Sequence, residues 1–111
     1  MKKDDFFVIA YRFLSYLYEC AKAGETPRAC EMSEEKYGIS EKYWYFIVTS
    51  LYDDGYIKGV EEVHLPAHIG KVYRINEPQI TIKGIEFLQT NSSIEKAKRT
   101  LKELKAVVPG L

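Results

Sequence analysis

The residues able to do chemistry in this chain are few and scattered. His64 and His68 stand four apart, a spacing that a helix could turn into a pair of metal ligands, but they bracket Pro66 in a turn-like stretch with no cysteine nearby. They read as ordinary histidines, and no metal site is expected. Cys20 and Cys30 are too few for the disulfide framework of a small secreted domain, so both are expected as free thiols in a reducing compartment. The chain has no phosphate-binding loop, no GxGxxG and no nucleophile elbow. Its serines and glutamates fall into no acid–base pair. The expectation is a protein that is not an enzyme, with no catalytic residue, no cofactor and no small-molecule substrate.

What remains is the chemistry of binding, carried by cations and aromatic rings. The 111 residues hold 16 Lys plus Arg and 16 Asp plus Glu, a net charge of zero that excludes a uniformly basic nucleic-acid coat and leaves room for local patches. The charge is uneven. Residues 19–62 carry five basic and ten acidic side chains, a balance of −5, while residues 63–111 carry eight basic and four acidic, a balance of +4. The aromatics are uneven too, with 13 of 15 between residues 6 and 56. Core filling takes most of them, and a surplus is left for interfaces, whose centres are rich in such side chains. No apolar run approaches the roughly 20 residues of a membrane span. Asp4 and Asp5 directly follow Lys2 and Lys3, a poor secretory start, and a cytoplasmic location is expected.

These residues need elements to hold them. Asp5 to Lys22 contains no Gly or Pro and stops at Gly24, which predicts a helix. Arg12, Ser15, Glu19 and Lys22 form a narrow polar stripe on it and nearly every other position is apolar. A helix facing a single core needs an apolar arc of only about 100° or somewhat more, so this one is expected to be covered on more than one side. Ser33 is placed to cap a short helix over 34–37, with Gly38 as its left-handed stop. Ser40 is placed to cap a helix from Glu41 to Asp54, with Trp44, Ile47, Val48 and Leu51 as its buried stripe. Val, Ile and Tyr then dominate Tyr56 to Leu65, with Gly59 positioned for a bulge. A turn over 66–70 leads to a second strand over 71–76, and Glu77, Pro78 and Gln79 are expected to leave the sheet. Thr81 caps a helix to about Thr90, Asn91 and Ser92 break it, and Ser93 caps a last helix over 94–108.

This order predicts an α+β fold, a winged helix-turn-helix with a two-stranded wing and additional C-terminal helices. It forms one domain over 1–111: N-terminal helix 5–23, helix-turn-helix 33–54, wing 56–76 and C-terminal helices 81–108. The last helix carries Ile94, Ala97, Leu101, Leu104 and Val108 at alternating three- and four-residue steps, a narrow seam of the coiled-coil kind. The seam and the apolar surplus of the first helix should meet, within one chain or between two. The expected arrangement is a homodimer through the terminal helices, with packing inside one chain as its rival.

Three stretches resemble the YjcQ-like winged-helix proteins of bacteria and their prophages. They are Ser33-Glu34-Glu35-Lys36-Tyr37-Gly38-Ile39-Ser40, Asp54-Gly55-Tyr56-Ile57, and Ile80-Thr81-Ile82-Lys83-Gly84 together with the lysine-rich run from Lys96 to Lys105. The resemblance covers roughly residues 26–105. The chain departs from the pattern in extra residues between Pro27 and Ser33 and in a longer wing. The resemblance implies the fold and carries over no ligand or catalytic residue.

A helix-turn-helix of this type lays its second helix, here 41–54, in the DNA major groove. The candidate DNA contacts are Lys42, Tyr43 and Thr49 on that helix, His68, Lys71 and Arg74 on the wing, and Lys98 and Lys102 on the last helix. The expected function is a DNA-binding winged-helix transcription regulator of bacterial or prophage type. The alternative is a winged-helix protein-interaction module that does not bind DNA, favoured by the acidic middle and the surplus of aromatic rings.

Overall fold

The computed structural model describes residues 1–63, 66 and 72–104. The chain is organised around its first helix, α1 (Phe6–Ala23), which is capped by the Asp5 carboxylate accepting from the Phe7 amide and stopped by Gly24 at φ 69°. α1 is buried on two sides, as its composition predicts. Ile9, Ala10, Phe13, Leu14 and Leu17 enter one cluster, while Val8 and Tyr11 enter a second. At about 100° per residue these two sets lie on roughly opposite arcs of the helix. The polar stripe is not left to solvent along its whole length. Ser15 is buried, its hydroxyl beside that of Tyr11.

A short 3-10 turn (Ala29–Glu31) follows α1 and precedes α2 (Glu34–Tyr37) and α3 (Glu41–Asp53). The turn is pinned by two tyrosines. The Tyr16 hydroxyl accepts from the Arg28 amide at 2.8 Å, and the Tyr37 hydroxyl donates to the Glu31 carbonyl at 3.2 Å. The Ser33 and Ser40 side chains cap α2 and α3, and Gly38 turns the chain between them at φ 67°. Trp44 is 6% exposed. Its ring sits edge-on to Phe13 at 5.0 Å and stacks with Tyr37 at 5.3 Å, which locks α3 to both α1 and α2.

The wing is an antiparallel pair, β1 (Ile57–Val63) and β2 (Val72–Ile80). Ile57 pairs with Ile80 and Lys58 with Gln79, then the register shifts so that Val60 pairs with Ile75. Gly59 sits at the shift with φ 83°, and a methyl group there would collide with the Glu77 carbonyl. This is the expected bulge position, but the excess residues are on the other strand. Glu77, Pro78 and Gln79 stay in the sheet, contrary to the expectation that they leave it. Pro78 is tolerated because it lies at the irregularity of a two-stranded ribbon, where a missing N–H breaks no ladder bond, and its ring is fully buried. The turn expected over 66–70 lies, apart from Pro66, outside the described residues.

α4 (Ile82–Thr90) and α5 (Ser92–Glu103) complete the fold. Thr81 caps α4 as expected. α5 is capped by Asn91 rather than Ser93: the Asn91 side-chain Oδ1 accepts from the Ser93 and Ile94 amides at 2.9 and 3.0 Å. The residue read as a breaker therefore ends one helix and starts the next. α5 lies against α1 and α4, with Ile94, Ala97 and Leu101 in the cluster that holds Val8, Tyr11 and Phe87.

α4 is clasped to the start of the wing by four contacts. The Thr81 amide donates to the Tyr56 carbonyl at 3.1 Å and its hydroxyl to the Gly55 carbonyl at 2.6 Å. The Lys83 ammonium donates to the Asp54 carbonyl at 2.7 Å, and the Gly84 Cα rests directly on the Tyr56 carbonyl. Gly84→Ala would drive a methyl into that carbonyl and into Ile80. It is expected to destabilise the fold by about 1–3 kcal/mol, measured by urea unfolding.

Burial pushes the Tyr37 hydroxyl well above its ordinary pKa of 10.0; the Arg12 guanidinium, which lies over the ring, opposes this and Glu31 adds to it. A raised native pKa means that the unfolded chain releases this proton first. Stability present at neutral pH is therefore lost as pH climbs above 10. Tyr37→Phe is expected to cost stability at neutral pH and to flatten the alkaline loss, seen by comparing unfolding curves in the two ranges.

Candidate nucleic-acid interface

In a winged helix the exposed ridge of α3 is the surface offered to a groove, so the candidate interface starts there. Trp44, Ile47, Val48 and Leu51 turn inward. At helical spacing the opposite face carries Lys42, Phe46, Thr49 and Asp53, with Tyr45 toward the wing. Lys42 is the one cation on α3, and Glu41 and Asp53 share the helix with it. Phe46 is 56% exposed and Tyr45 42%. The Thr49 hydroxyl donates back to the Tyr45 carbonyl at 2.8 Å, so its strongest donor is already used.

The flanks of this ridge are built from rings. On one side Phe46 meets Phe6 at 6.0 Å, edge to face. On the other side Tyr45 and Tyr52 face Tyr73 of β2 at 6.2 and 5.8 Å. The Tyr73 amide donates to the Tyr45 hydroxyl at 3.2 Å, and the Tyr73 hydroxyl donates to the Asp53 carboxylate at 3.4 Å. These contacts fix the wing on α3. They also orient Arg74. Neighbouring residues of a strand point to opposite faces, so Arg74 points to the face of the ribbon away from α3. It pairs in register with Glu61.

The remaining candidates divide into three groups. Tyr43 is turned toward the N-terminal segment, its hydroxyl donating to the Asp4 carbonyl at 2.8 Å; burial and the nearby Asp5 and Asp4 carboxylates raise its pKa. His68 and Lys71 lie outside the described residues. Lys98 and Lys102 are on α5, with Lys102 exposed and Lys98 half-buried near Tyr18 and Glu19. α3 and α5 pack on opposite arcs of α1, so a helix some 10 Å thick separates Lys42 from Lys98 and Lys102. The structure thus keeps Lys42 and Thr49 together and sets the other described candidates on different faces. The exposed pair Tyr45 and Phe46 was missing from the candidate set. Its signal was present in the sequence, as two rings on the outward arc of a helix whose inward arc was already full.

The seam of α5 finds its cover inside the chain. Ile94, Ala97 and Leu101 are at most 2% exposed and face α1 and α4. Leu104 is 54% exposed, and Val108 lies outside the described residues. Of the two arrangements open to the seam, packing on the chain's own first helix accounts for its buried members, leaving Leu104 as its exposed apolar side chain among the described residues. Among those residues no three His, Cys, Asp or Glu side chains group to hold a metal ion. Cys20 is buried and Cys30 exposed, both as free thiols. No helix among them is long and apolar enough to cross a membrane.

Two helices joined by a short turn, followed by a two-stranded wing and all packed on a preceding helix, define a winged-helix domain. The chain belongs to the YjcQ family, whose model, described as YjcQ protein, matches residues 11–107. It is 32% identical over 105 residues to the protein named Uncharacterized protein YjcQ of Bacillus subtilis (strain 168), covering 95% of this chain and 96% of that one. No solved structure matches it. Two of the segments that carry the resemblance, Asp54–Ile57 and Ile80–Gly84, are the two halves of the clasp between the wing and α4. Membership fixes the family, not a ligand.

Because Leu101 is 2% exposed against its own chain, Leu101→Lys is expected to unfold the protein rather than to separate two copies. The loss of at least about 3 kcal/mol combines a vacated leucine site with a buried charge. Circular dichroism and light scattering on one sample distinguish the outcomes.

Proposed function

We propose that this winged-helix domain is a protein-interaction module that docks a partner protein on the outer ridge of α3. The observation that carries the reading is the exposure of Phe46 and Tyr45 at the centre of that ridge, beside a single lysine. A fully buried Phe is worth about 1.5–3 kcal/mol over an exposed one, so a ring held in water on a rigid helix is a ready anchor. Phe6 and Tyr73 brace the two rings and limit the conformational freedom lost on binding.

The rival is a DNA-binding transcription regulator using the same helix. Its support is the frequent use of this fold on DNA, which is an argument by analogy. Affinity for DNA comes largely from cations neutralising phosphates. The α3 ridge brings one, and the adjoining Glu41 and Asp53 repel phosphate.

A photo-reactive residue at position 46, with a control at exposed Glu86, tests the reading in the intact cell. The expected outcome is one protein captured at 46 and not at 86, whose binding to the purified domain weakens at least tenfold in Phe46→Ala, about 1.4 kcal/mol. Duplex binding at low salt that is lost in Lys42→Glu would replace this reading by the DNA-binding one.

A further inference from the structure

Among the described residues, the densest run of basic side chains is on α5, away from the helix-turn-helix. α5 carries four basic residues, Lys96, Lys98, Arg99 and Lys102, and the exposed Glu95 and Glu103 share their outward arc, which leaves the helix a balance of +2. Lys96, Arg99 and Lys102 are exposed, and Lys98 is half-buried. Glu95 stands three residues before Lys98 and four before Arg99, and Glu103 four after Arg99. Those spacings allow ion pairs on a helix. None forms. The ion pairs among the described residues are Lys22 with Glu19 and Lys36 with Glu31. The four cations crowd two turns of one helix, where like charges three and four apart repel. The fold draws no ion pair from them, because the buried side of α5 is the apolar set Ile94, Ala97 and Leu101.

We infer that the outward face of α5 is a docking site for the phosphate backbone of duplex nucleic acid, independent of base sequence and separate from the α3 ridge. The chemistry selects this occupant. The apolar side of α5 is spent on α1, so the helix has no face left to bury in a lipid surface. Single strands are held mainly by stacking bases on rings, and α5 carries no aromatic residue. The face offers cations on flexible stems and no Asn or Gln, a set suited to phosphates before base edges. An acidic patch on a second copy would offer exposed ion pairs of little strength. A duplex offers closely spaced phosphates whose neutralisation releases counterions. This site does not rest on the α3 reading: α1 lies between the two faces.

The test is titration of a generic duplex by fluorescence anisotropy at several salt concentrations, using the whole chain. Three to four phosphates neutralised predict a slope of log K against log salt of about −3. The combined variant Lys96→Gln, Arg99→Gln, Lys102→Gln is expected to weaken binding at least tenfold and to lower the slope, with an unchanged circular dichroism spectrum. Lys42→Glu is expected to leave binding unaltered. Absence of duplex binding by folded protein at low salt overturns the inference. So does duplex binding that survives the α5 variant and disappears in Lys42→Glu. Binding to anionic phospholipid vesicles, or a salt-sensitive rise in mass by light scattering, without duplex binding overturns it in favour of a membrane or a second copy.

Discussion

The constraint on which the rest depends is that α1 has almost no side fit for water. A helix with one apolar face is satisfied by one neighbour. With Val8, Ile9, Ala10, Phe13 and Leu14 at 0% exposure, α1 demands cover on both sides. The helix-turn-helix and the base of the wing supply one cover. α5, with Phe87 of α4, supplies the other. The C-terminal helices are in this sense not an appendix to a winged helix. They close the far side of its central element, and that requirement buries Ile94, Ala97 and Leu101 of the α5 seam inside the chain.

Closing that side requires α4 to leave the wing in one direction, and the clasp sets it. β2 ends at Ile80, paired with Ile57, so the chain emerges beside the turn at Asp54 to Tyr56. Each of the five residues from Ile80 to Gly84 except Ile82 has a fixed task there. Ile80 is buried, Thr81 caps α4 and bonds to Gly55, Lys83 bonds to Asp54 and covers the Tyr56 ring, and Gly84 lets the helix touch the Tyr56 carbonyl. Ile82 is 79% exposed. The clasp gives a physical reason why Asp-Gly-Tyr-Ile and Ile-Thr-Ile-Lys-Gly occur together in one chain: they are two sides of one contact.

Much of the fold was legible because it is written in local chemistry. Ser33, Gly38, Ser40 and Thr81 each satisfy backbone groups within a few residues, so their roles could be read without knowing the tertiary structure. Two misreadings have a common cause. Pro78 and Asn91 are residues that usually interrupt elements, and each is used here in a place where the interruption is harmless. Pro78 sits at a register shift in a two-stranded ribbon, and Asn91 faces two helices at once. Ser15 lies on the polar stripe of α1 and is nonetheless buried, its hydroxyl beside that of Tyr11.

The candidate site was the least legible part, and the reason lies in α1 again. Cations at positions 42, 74, 98 and 102 can be gathered into one basic surface only if their elements face the same way. Strand alternation sends Arg74 to the opposite side of the wing from Tyr73, and the two-sided burial of α1 sends Lys98 and Lys102 behind it. The same separation explains how a chain with zero net charge holds two electrostatically distinct surfaces. The acidic helix-turn-helix and the basic α5 do not neutralise each other, because an apolar helix with its own two coats of side chains keeps them apart. At a Debye length of about 8–10 Å in physiological salt, each surface presents its own charge to an approaching ligand rather than the average of the chain. The overall charge balance, which reads as neutrality, is therefore a poor guide to what either face can hold.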